Sequence, residues 1–531
     1  MSEPERRLKI NGYLCNWCAY AGADLAGVSR MQYPEEIRII RVPCSGRINP
    51  LLVLKCFQEG ADGVLVSGCH PGDCHYQEGN LYARRRMLLL RSLLGYFGID
   101  ERRFHMSWVS ASEGKKWAEV VTRLVEDVRA VDAEARLALG AVSDSPKGAV
   151  FGDAVRAARL PSRRAVGGDP KGALSDDVVA GASVGTVPWA PVSATSLRAT
   201  AAELLAEGAV ELVIGYALSP NGSVVPRFAR QAEEAGELIW NERCVYNLVG
   251  YLTEPDLLGT EAAGALSRGE AADIPARGDA AGKASRGDTA GEASRGDTAG
   301  EASRADKPAA RIAVTLKGCD LKSLVVLLAE GQVRRDQVII IGLPCAGVVD
   351  EEGRVLSKCS TCPAEVRNPR RDLCDVVIGG GEDEPAAQEP AAEELYEDVA
   401  QIDALSTRER REFWDAHFSR CLRCYACRNV CPLCYCKECV FDQHNPRWVS
   451  PAPSVSSNRA FHLIRAYHLA GRCVDCGECE RACPVGIPLR RINRKMAQVV
   501  RDSFHFEAGV DPEARAPIAV FAAGDPEEFI E

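Results

Sequence analysis

Cysteine is the residue type in this sequence whose spacing could do chemistry. Cys421, Cys424, Cys427 and Cys431 follow a C-x2-C-x2-C-x3-C pattern with Pro432 next, and Cys473, Cys476, Cys479 and Cys483 repeat it with Pro484 next. In this spacing three thiolates of one run bind a 4Fe-4S cube and the fourth crosses to the cube of the other run. Cys421, Cys424, Cys427 and Cys483 are therefore expected to hold one cube, and Cys473, Cys476, Cys479 and Cys431 the other. Zinc knuckles also use C-x2-C pairs, but two full copies with trailing prolines favour the cubes. Cys434, Cys436 and Cys439 lie beyond the eight, as packing thiols, alternative ligands or a small further site.

Two weaker blocks stand upstream. Lys317-Gly318-Cys319-Asp320, Pro344-Cys345-Ala346-Gly347 and Cys359-Ser360-Thr361-Cys362 place Cys319, Cys345, Cys359 and Cys362 on loops beside Gly and Pro. Four such thiols make an all-thiolate site for a third 4Fe-4S cluster or for zinc. Any one of them alone could equally be a buried, inert cysteine. Cys374, in the apolar run 373–378, is expected in the core, while Cys244 is open to a core or a functional role. The N-terminal block is Cys15-Asn16-Trp17-Cys18, Cys44-Ser45-Gly46-Arg47 and Gly68-Cys69-His70-Pro71-Gly72-Asp73-Cys74-His75-Tyr76. A C-x2-C beside a βαβ unit can be a redox dithiol. Five thiols (Cys15, Cys18, Cys44, Cys69 and Cys74) exceed that need and fit a cluster with one to spare. Cys56 falls on a helical stretch and is expected to be buried.

The elements that must position these thiols alternate. Strand-like runs at 8–14, 37–42, 63–66 and 104–109 are separated by helical patterns at 50–59 and 82–97, and 115–131 closes the unit. Strand–helix alternation predicts a parallel sheet, and loops at the carboxyl ends of its strands line the ligand crevice. Cys15, Cys44 and Cys69 follow three of these strands and should meet on one rim. Further strand-like runs lie at 211–216, 236–240, 311–316 and 337–343, with a helix at 321–331. The predicted class is α/β: an N-terminal parallel-sheet cluster domain (8–131), a middle α/β domain (184–258 and 311–379) and a C-terminal helical dicluster domain (407–502). Linkers are expected at 132–183 and 380–406, a tail at 503–531, and a disordered tether at 259–310. The tether carries a nine-residue repeat, with Arg268, Arg277, Arg286, Arg295 and Arg304 in register.

Composition narrows the function classes. The 531 residues carry a net charge of −10, which disfavours nucleic-acid binding. Met1–Arg7 lacks the apolar stretch of a secretory signal, and no run is long and apolar enough for a membrane span. A cytoplasmic, reducing location is expected, where clustered cysteines serve as metal ligands or redox groups rather than disulfides. Of the 23 cysteines, six lie between Cys15 and Cys74, five between Cys319 and Cys374 and eleven between Cys421 and Cys483, so they mark discrete sites. No Ser-His-Asp or paired-carboxylate set points to hydrolytic catalysis, and a non-catalytic electron-transfer subunit is the expectation.

Residues 8–131 resemble the delta subunit of methyl-viologen-reducing hydrogenase, through the three N-terminal motifs quoted above. The resemblance implies a 2Fe-2S cluster held by four of Cys15, Cys18, Cys44, Cys69 and Cys74, with His70 and His75 as donors to its ligands or as helix-entry caps. It also implies electron relay between a hydrogenase or formate dehydrogenase and a heterodisulfide-reductase-like flavoprotein. The C-terminal block resembles bacterial dicluster ferredoxins. The region from about 184 onward more loosely resembles the beta subunit of deazaflavin-reducing hydrogenases, through Lys317-Gly318-Cys319-Asp320, Pro344-Cys345, Cys359 and Cys362. That resemblance implies an FAD beside iron–sulfur clusters. The chain departs from it in the interrupting tether, in the order of its parts and in lacking a glycine-rich dinucleotide fingerprint; Gly379-Gly380-Gly381 runs directly into acidic sequence. The competing classes are a flavin oxidoreductase acting on a deazaflavin, nicotinamide or ferredoxin, and a zinc-binding or redox-sensing regulator.

Overall fold

A computed structural model describes residues 7–132, 194–253, 311–379 and 395–531. The nonapeptide tether, most of the 132–183 linker and Gly380-Gly381 lie outside the described residues. The N-terminal unit runs β1 (Ile10–Cys15), α1 (Ala19–Val28), β2 (Ile37–Val42), α2 (Pro50–Gln58), β3 (Gly63–Gly68), α3 (Gly79–Tyr96), β4 (Phe104–Trp108) and α4 (Gly114–Ala130). Its sheet is parallel in the order β2-β1-β3-β4. Every residue of β3 and β4 is buried, as expected of parallel strands covered by helices on both faces. The chain order reverses between β1 and β3, where such sheets open a crevice at their carboxyl ends.

One face of this sheet is closed by α1 and α4, with Trp117, Val121 and Leu124 packed near Leu14 and Leu65. The other face is continuous with the C-terminal half, in a single core that joins Leu90 and Phe97 to Trp414, Phe461 and Met496. The C-terminal half contributes α7 (Glu397–Asp403), α8 (Thr407–Ser419), α9 (Val455–His468) and α10 (Leu489–Phe504), and between them the two cysteine loops. The Trp414 indole donates to the Tyr96 carbonyl at 3.0 Å, and Phe97, Trp414, Phe418 and His462 form a continuous aromatic stack. A capping box at Ser406–Glu409 starts α8.

The middle unit adds α5 (Ala194–Ala206), β5 (Leu212–Leu218), β6 (Val224–Ala229), β7 (Ile312–Leu316), α6 (Gly318–Ala329), β8 (Val338–Gly342) and β9 (Val376–Val377). Its sheet has the order β6-β5-β7-β8-β9, with only the β5–β6 pair antiparallel. Direct pairing of β5 with β7 joins the two segments on either side of residues 254–310 into one sheet.

Three expectations are corrected. Residues 236–240 form no strand: a 3-10 turn at Glu234–Glu237 leads into an extended stretch, where the Ile239 amide donates to the Tyr216 carbonyl at 2.8 Å. The second strand of this region is β6, a hairpin partner of β5 that contains Pro226. Pro226 sits on an edge strand, the position where a missing N–H is tolerated. Part of the expected acidic linker is the helix α7, with Val399 and Ile402 fully buried. The expected tail folds back on the N-terminal unit: Glu531 exchanges backbone hydrogen bonds with Met106 and Trp108, both 2.9 Å. There the buried Arg85 pairs with Asp525, and Arg84 donates to the carbonyls of Ala522 and Ala523.

Candidate iron–sulfur centres

The two C-terminal loops share one backbone. In Cys421–Cys427 the third and fifth residues, Arg423 and Tyr425, have φ of 50° and 61°; in Cys473–Cys479 the same positions, Asp475 and Gly477, have 58° and 73°. Left-handed backbone at non-glycine residues costs free energy and persists where the surroundings demand it. Each loop then enters a one-turn helix, Ala426–Asn429 or Glu478–Arg481, and leaves through a Cys-Pro turn. Cys431 and Cys483 each donate their amide to the residue three before, Arg428 and Glu480. Cys421 lies near Cys424 and Cys483, Cys427 lies near Cys479 as well as Cys421 and Cys483, and Cys473, Cys476 and Cys479 lie near Cys431, so the structure brings the eight thiols of the two runs together. Cys424 stands at the exposed end of its loop, beside Cys421. Of the three surplus thiols, Cys434 bonds to Cys431, Cys439 lies against Arg428, and Cys436 is exposed.

The surroundings of these thiols fit anionic clusters. Arg465 on α9 is buried, its Nε and Nη2 have no hydrogen-bond partner, and the groups acting on it are Cys479, Cys431, Cys434 and Cys427. Cys427 belongs to one set and Cys479 and Cys431 to the other, with Cys434 a surplus thiol bonded to Cys431, so one buried cation stands between the two sets. An unpaired buried charge is expensive, and two thiolate-ligated cubes would supply its counter-charge. Burial pushes Cys427, Cys473 and Cys479 up to about 12. Thiols so raised stay protonated unless a metal takes the proton's place. Donors are already aimed at sulfur: the Ile487 amide at Cys483 (3.3 Å) and the Asn493 side-chain amide at Cys479 (3.5 Å). The His462 ring stands 3.4 Å from Cys421 Sγ.

In the N-terminal unit all five expected thiols gather at the crevice between β1 and β3. Cys15 ends β1 and Cys69 follows β3, with their sulfurs 3.5 Å apart; Cys44 and Cys74 are 4.0 Å apart, and Cys18 bonds to Cys69. The hydrogen bond from Cys69 holds Cys15 down to about 6 and pushes Cys69 up, while burial raises Cys44 to about 11. A Cβ on Gly79, the first residue of α3, would stand 2.3 Å from Cys44 Sγ, and one on Gly46 would stand 2.4 Å from the Gly79 carbonyl oxygen. These two glycines let the Cys44 loop and the start of α3 close on the thiols. His70 pairs with Glu113 at 2.7 Å and His75 stacks on Trp17 at 3.8 Å. Asn80 instead fastens the loop, donating to the carbonyls of Cys69 and His70. Cys56 lies apart on α2, bonded to the Tyr13 hydroxyl at 3.1 Å.

The middle thiols line one cavity of about 150 Å³. Cys319 enters α6 after β7 and Cys345 follows β8, again at the carboxyl ends of neighbouring parallel strands. Cys359 lies on the one-turn helix Ser357–Ser360 and accepts from the Val348 amide at 3.3 Å; Cys362 follows it. Burial raises Cys319 and Cys345, and Cys362 to about 11. Two buried lysines, Lys317 and Lys358, share the lining and give it the positive charge a thiolate-ligated cluster needs. Lys317 is fully committed, pairing with Asp320 at 2.8 Å and donating to Tyr216 Oη and the carbonyls of Cys244 and Tyr246. Cys244 itself is buried, and its sulfur accepts from the Asn241 amide. Cys374 lies apart, its sulfur against Gly342 of β8. Among the described residues no three His, Cys, Asp or Glu side chains converge as a single metal ion requires.

Residues 10–132 match the family model of the methyl-viologen-reducing hydrogenase delta subunit. The vhc iron-sulfur subunit of the F420-non-reducing hydrogenase of Methanococcus voltae is 54% identical over 123 residues, which are 23% of this chain and 85% of that protein. The chain belongs to this delta-subunit family. Its delta-subunit domain occupies the first quarter of a longer polypeptide. The iron-sulfur subunit of the F420-non-reducing hydrogenase of Archaeoglobus profundus is 50% identical over 115 residues, 22% of this chain and 84% of the relative. The domain also occurs in larger proteins: one subunit of the ferredoxin:CoB-CoM heterodisulfide reductase of Methanosarcina mazei is 46% identical over 122 residues, 23% of this chain but only 15% of that protein. Residues 416–487 match the 4Fe-4S dicluster domain, which covers both C-terminal loops. No described helix is long and apolar enough to cross a membrane.

Proposed function

We propose that this chain is an iron–sulfur relay subunit that carries electrons between a hydrogenase or formate dehydrogenase and a heterodisulfide-reductase-like flavoprotein. The observation that carries the reading is the repeated left-handed backbone of the two C-terminal loops, with the unpaired Arg465 cation between their thiols. In this reading Cys421, Cys424, Cys427 and Cys483 hold one 4Fe-4S cube, and Cys473, Cys476, Cys479 and Cys431 the second. Four of Cys15, Cys18, Cys44, Cys69 and Cys74 hold a 2Fe-2S cluster, and Cys319, Cys345, Cys359 and Cys362 hold a third cube. The clusters supply one-electron chemistry. The protein would tune their potentials through the buried cations and the N–H···S bonds described above.

The hydrogenase iron-sulfur subunits and the heterodisulfide reductase component that share the N-terminal domain support partners of these two kinds. The partition of the chain into a cluster domain, a split middle domain and a dicluster domain belongs to the same proposal, as does a cytoplasmic location. Anaerobic purification from the native host, with partner identification and flavin, iron, zinc and sulfide counts, tests it. Hydrogenase and heterodisulfide-reductase components should co-purify with an iron- and sulfide-rich, flavin-free chain. Stoichiometric FAD would replace the simple relay by a flavin-bearing oxidoreductase, and zinc without labile sulfide would replace it by a regulator.

A further inference from the structure

The cavity of the middle cysteines opens directly onto the second ferredoxin-type loop. Val474 and Asp475, between Cys473 and Cys476, are part of its lining. The two loops are clamped together by the buried Arg490, whose guanidinium holds both Asp475 carboxylate oxygens (2.6 and 2.7 Å), the Ser357 carbonyl (3.2 Å) and Thr361 Oγ1 (2.7 Å). Ser357 Oγ reaches across to Glu480 at 3.2 Å. Between the two thiol sets stands Lys358. It is 8% exposed, and its chain lies on Gly477, where a Cβ would come within 3.1 Å of it. Its Nζ has no hydrogen-bond partner.

The charges facing Lys358 are Cys319, Glu478 and Asp320, with Lys317 as the neighbouring cation; Lys358 in turn acts on Cys345 and Cys476. Both carboxylates are committed elsewhere: Glu478 to Arg481 at 2.7 Å and Asp320 to Lys317 at 2.8 Å. The thiols on its two sides are therefore what remains to balance a buried ammonium.

We propose that the middle site and the second cube are redox neighbours, exchanging electrons directly across the Gly477–Lys358 contact, with Lys358 as the charge both clusters share. The proposal rests on the reading that both thiol sets hold 4Fe-4S clusters. In the step one electron leaves a reduced cube at Cys473, Cys476, Cys479 and Cys431 and enters an oxidised cube at Cys319, Cys345, Cys359 and Cys362, or the reverse. One cluster is oxidised and the other reduced by one electron, no bond forms or breaks, and Lys358 keeps its proton. A fixed positive charge favours the more negative, reduced state of each cluster, so Lys358 raises both potentials together. The middle site becomes an electron port of the relay rather than an isolated centre.

The test uses the full chain, purified anaerobically, with iron counting and potentiometry followed by paramagnetic resonance. Lys358→Met should keep its iron and shift the potentials of the middle site and the second cube negative, leaving the N-terminal cluster in place; Lys358→Arg should restore both. In the unsubstituted chain, full reduction should broaden the signals of these two clusters through mutual spin coupling. A fully loaded Lys358→Met chain in which one or neither potential moves overturns the proposal. So do magnetically independent signals in the fully reduced chain, a readout that stands even if the variant loses iron. Cys359→Ser with Cys362→Ser separates the underlying reading: an unchanged iron content would overturn the assignment of a cluster to the middle site itself.

Discussion

Replacing Gly79 by alanine puts the N-terminal assignment at risk through one methyl group. The new Cβ would stand 2.3 Å from Cys44 Sγ and 3.4 Å from Cys74 Sγ. Carbon–sulfur contact needs about 3.5–4 Å, so Cys44 must retreat by more than about 1 Å or α3 must lift. Neither is easy: Gly46 closes on the Gly79 carbonyl from the other side, and Arg86 donates to the Gly46 carbonyl at 3.1 Å. Overpacking of this kind costs about 1–3 kcal/mol. If that cost falls on the cluster-bound state, affinity for the cluster drops about 5- to 150-fold. The assay is reconstitution of the iron-free chain with limiting iron and sulfide, followed by resonance spectra that separate the two-iron from the four-iron signals. The two-iron signal should fall and the C-terminal signals should persist. Gly27, near the end of α1, has nothing within 4 Å of its Cβ position, so Gly27→Ala is the matched control and should load normally. A Gly79→Ala chain with a full, unshifted two-iron signal would refute the argument that Cys44 and Cys74 are ligands packed by that glycine.

Arg465→Met removes the cation between the two C-terminal thiol sets. By Coulomb's law, a unit charge taken to lie about 7 Å from a cluster at an effective dielectric constant of about 20 is worth about 2 kcal/mol. For one electron that is a negative shift on the order of 100 mV in both cubes, read by potentiometry; unmoved potentials would contradict it. Cys427→Ser should remove one low-potential four-iron signal while sparing the N-terminal one, and an unchanged spectrum would reject the ligand set. Asp525→Ala strands Arg85 in the interface between the folded-back C-terminal residues and α3, where both side chains are less than a tenth exposed. Stranding a buried charge costs about 3–5 kcal/mol, which thermal unfolding of the apo chain should show as a clear loss; a change within about 0.5 kcal/mol would mean the pair carries no weight.

The cysteine spacing was readable because its geometry is local: seven residues carry three thiols, and the trailing proline turns the fourth away. The N-terminal rim was readable from strand ends, since the parallel sheet places Cys15 and Cys69 beside each other wherever β1 and β3 pair. What stayed hidden is long-range. Gly46 and Gly79 look unremarkable in sequence and matter only because they meet across 33 positions. Arg465 and Lys358 carry no mark in the sequence, and only packing shows them buried among thiols. The helix α7 and the residues after 503 read as linker and tail because their apolar residues run too briefly or too irregularly to show a helix or strand period, yet Val399, Ile402 and Ile530 find a core built by the other end of the chain. Residues 236–240 misled because a short apolar run has no period to tell a strand from a buried loop.

The central claim is that the three cysteine blocks hold iron–sulfur clusters. Mössbauer spectroscopy of the anaerobically purified, iron-57-labelled chain, with iron and acid-labile sulfide counted per polypeptide, tests it most directly. The expected result is three four-iron spectra and one two-iron spectrum, in a 3:1 ratio of clusters. Zinc in place of iron, or iron without labile sulfide, would contradict it.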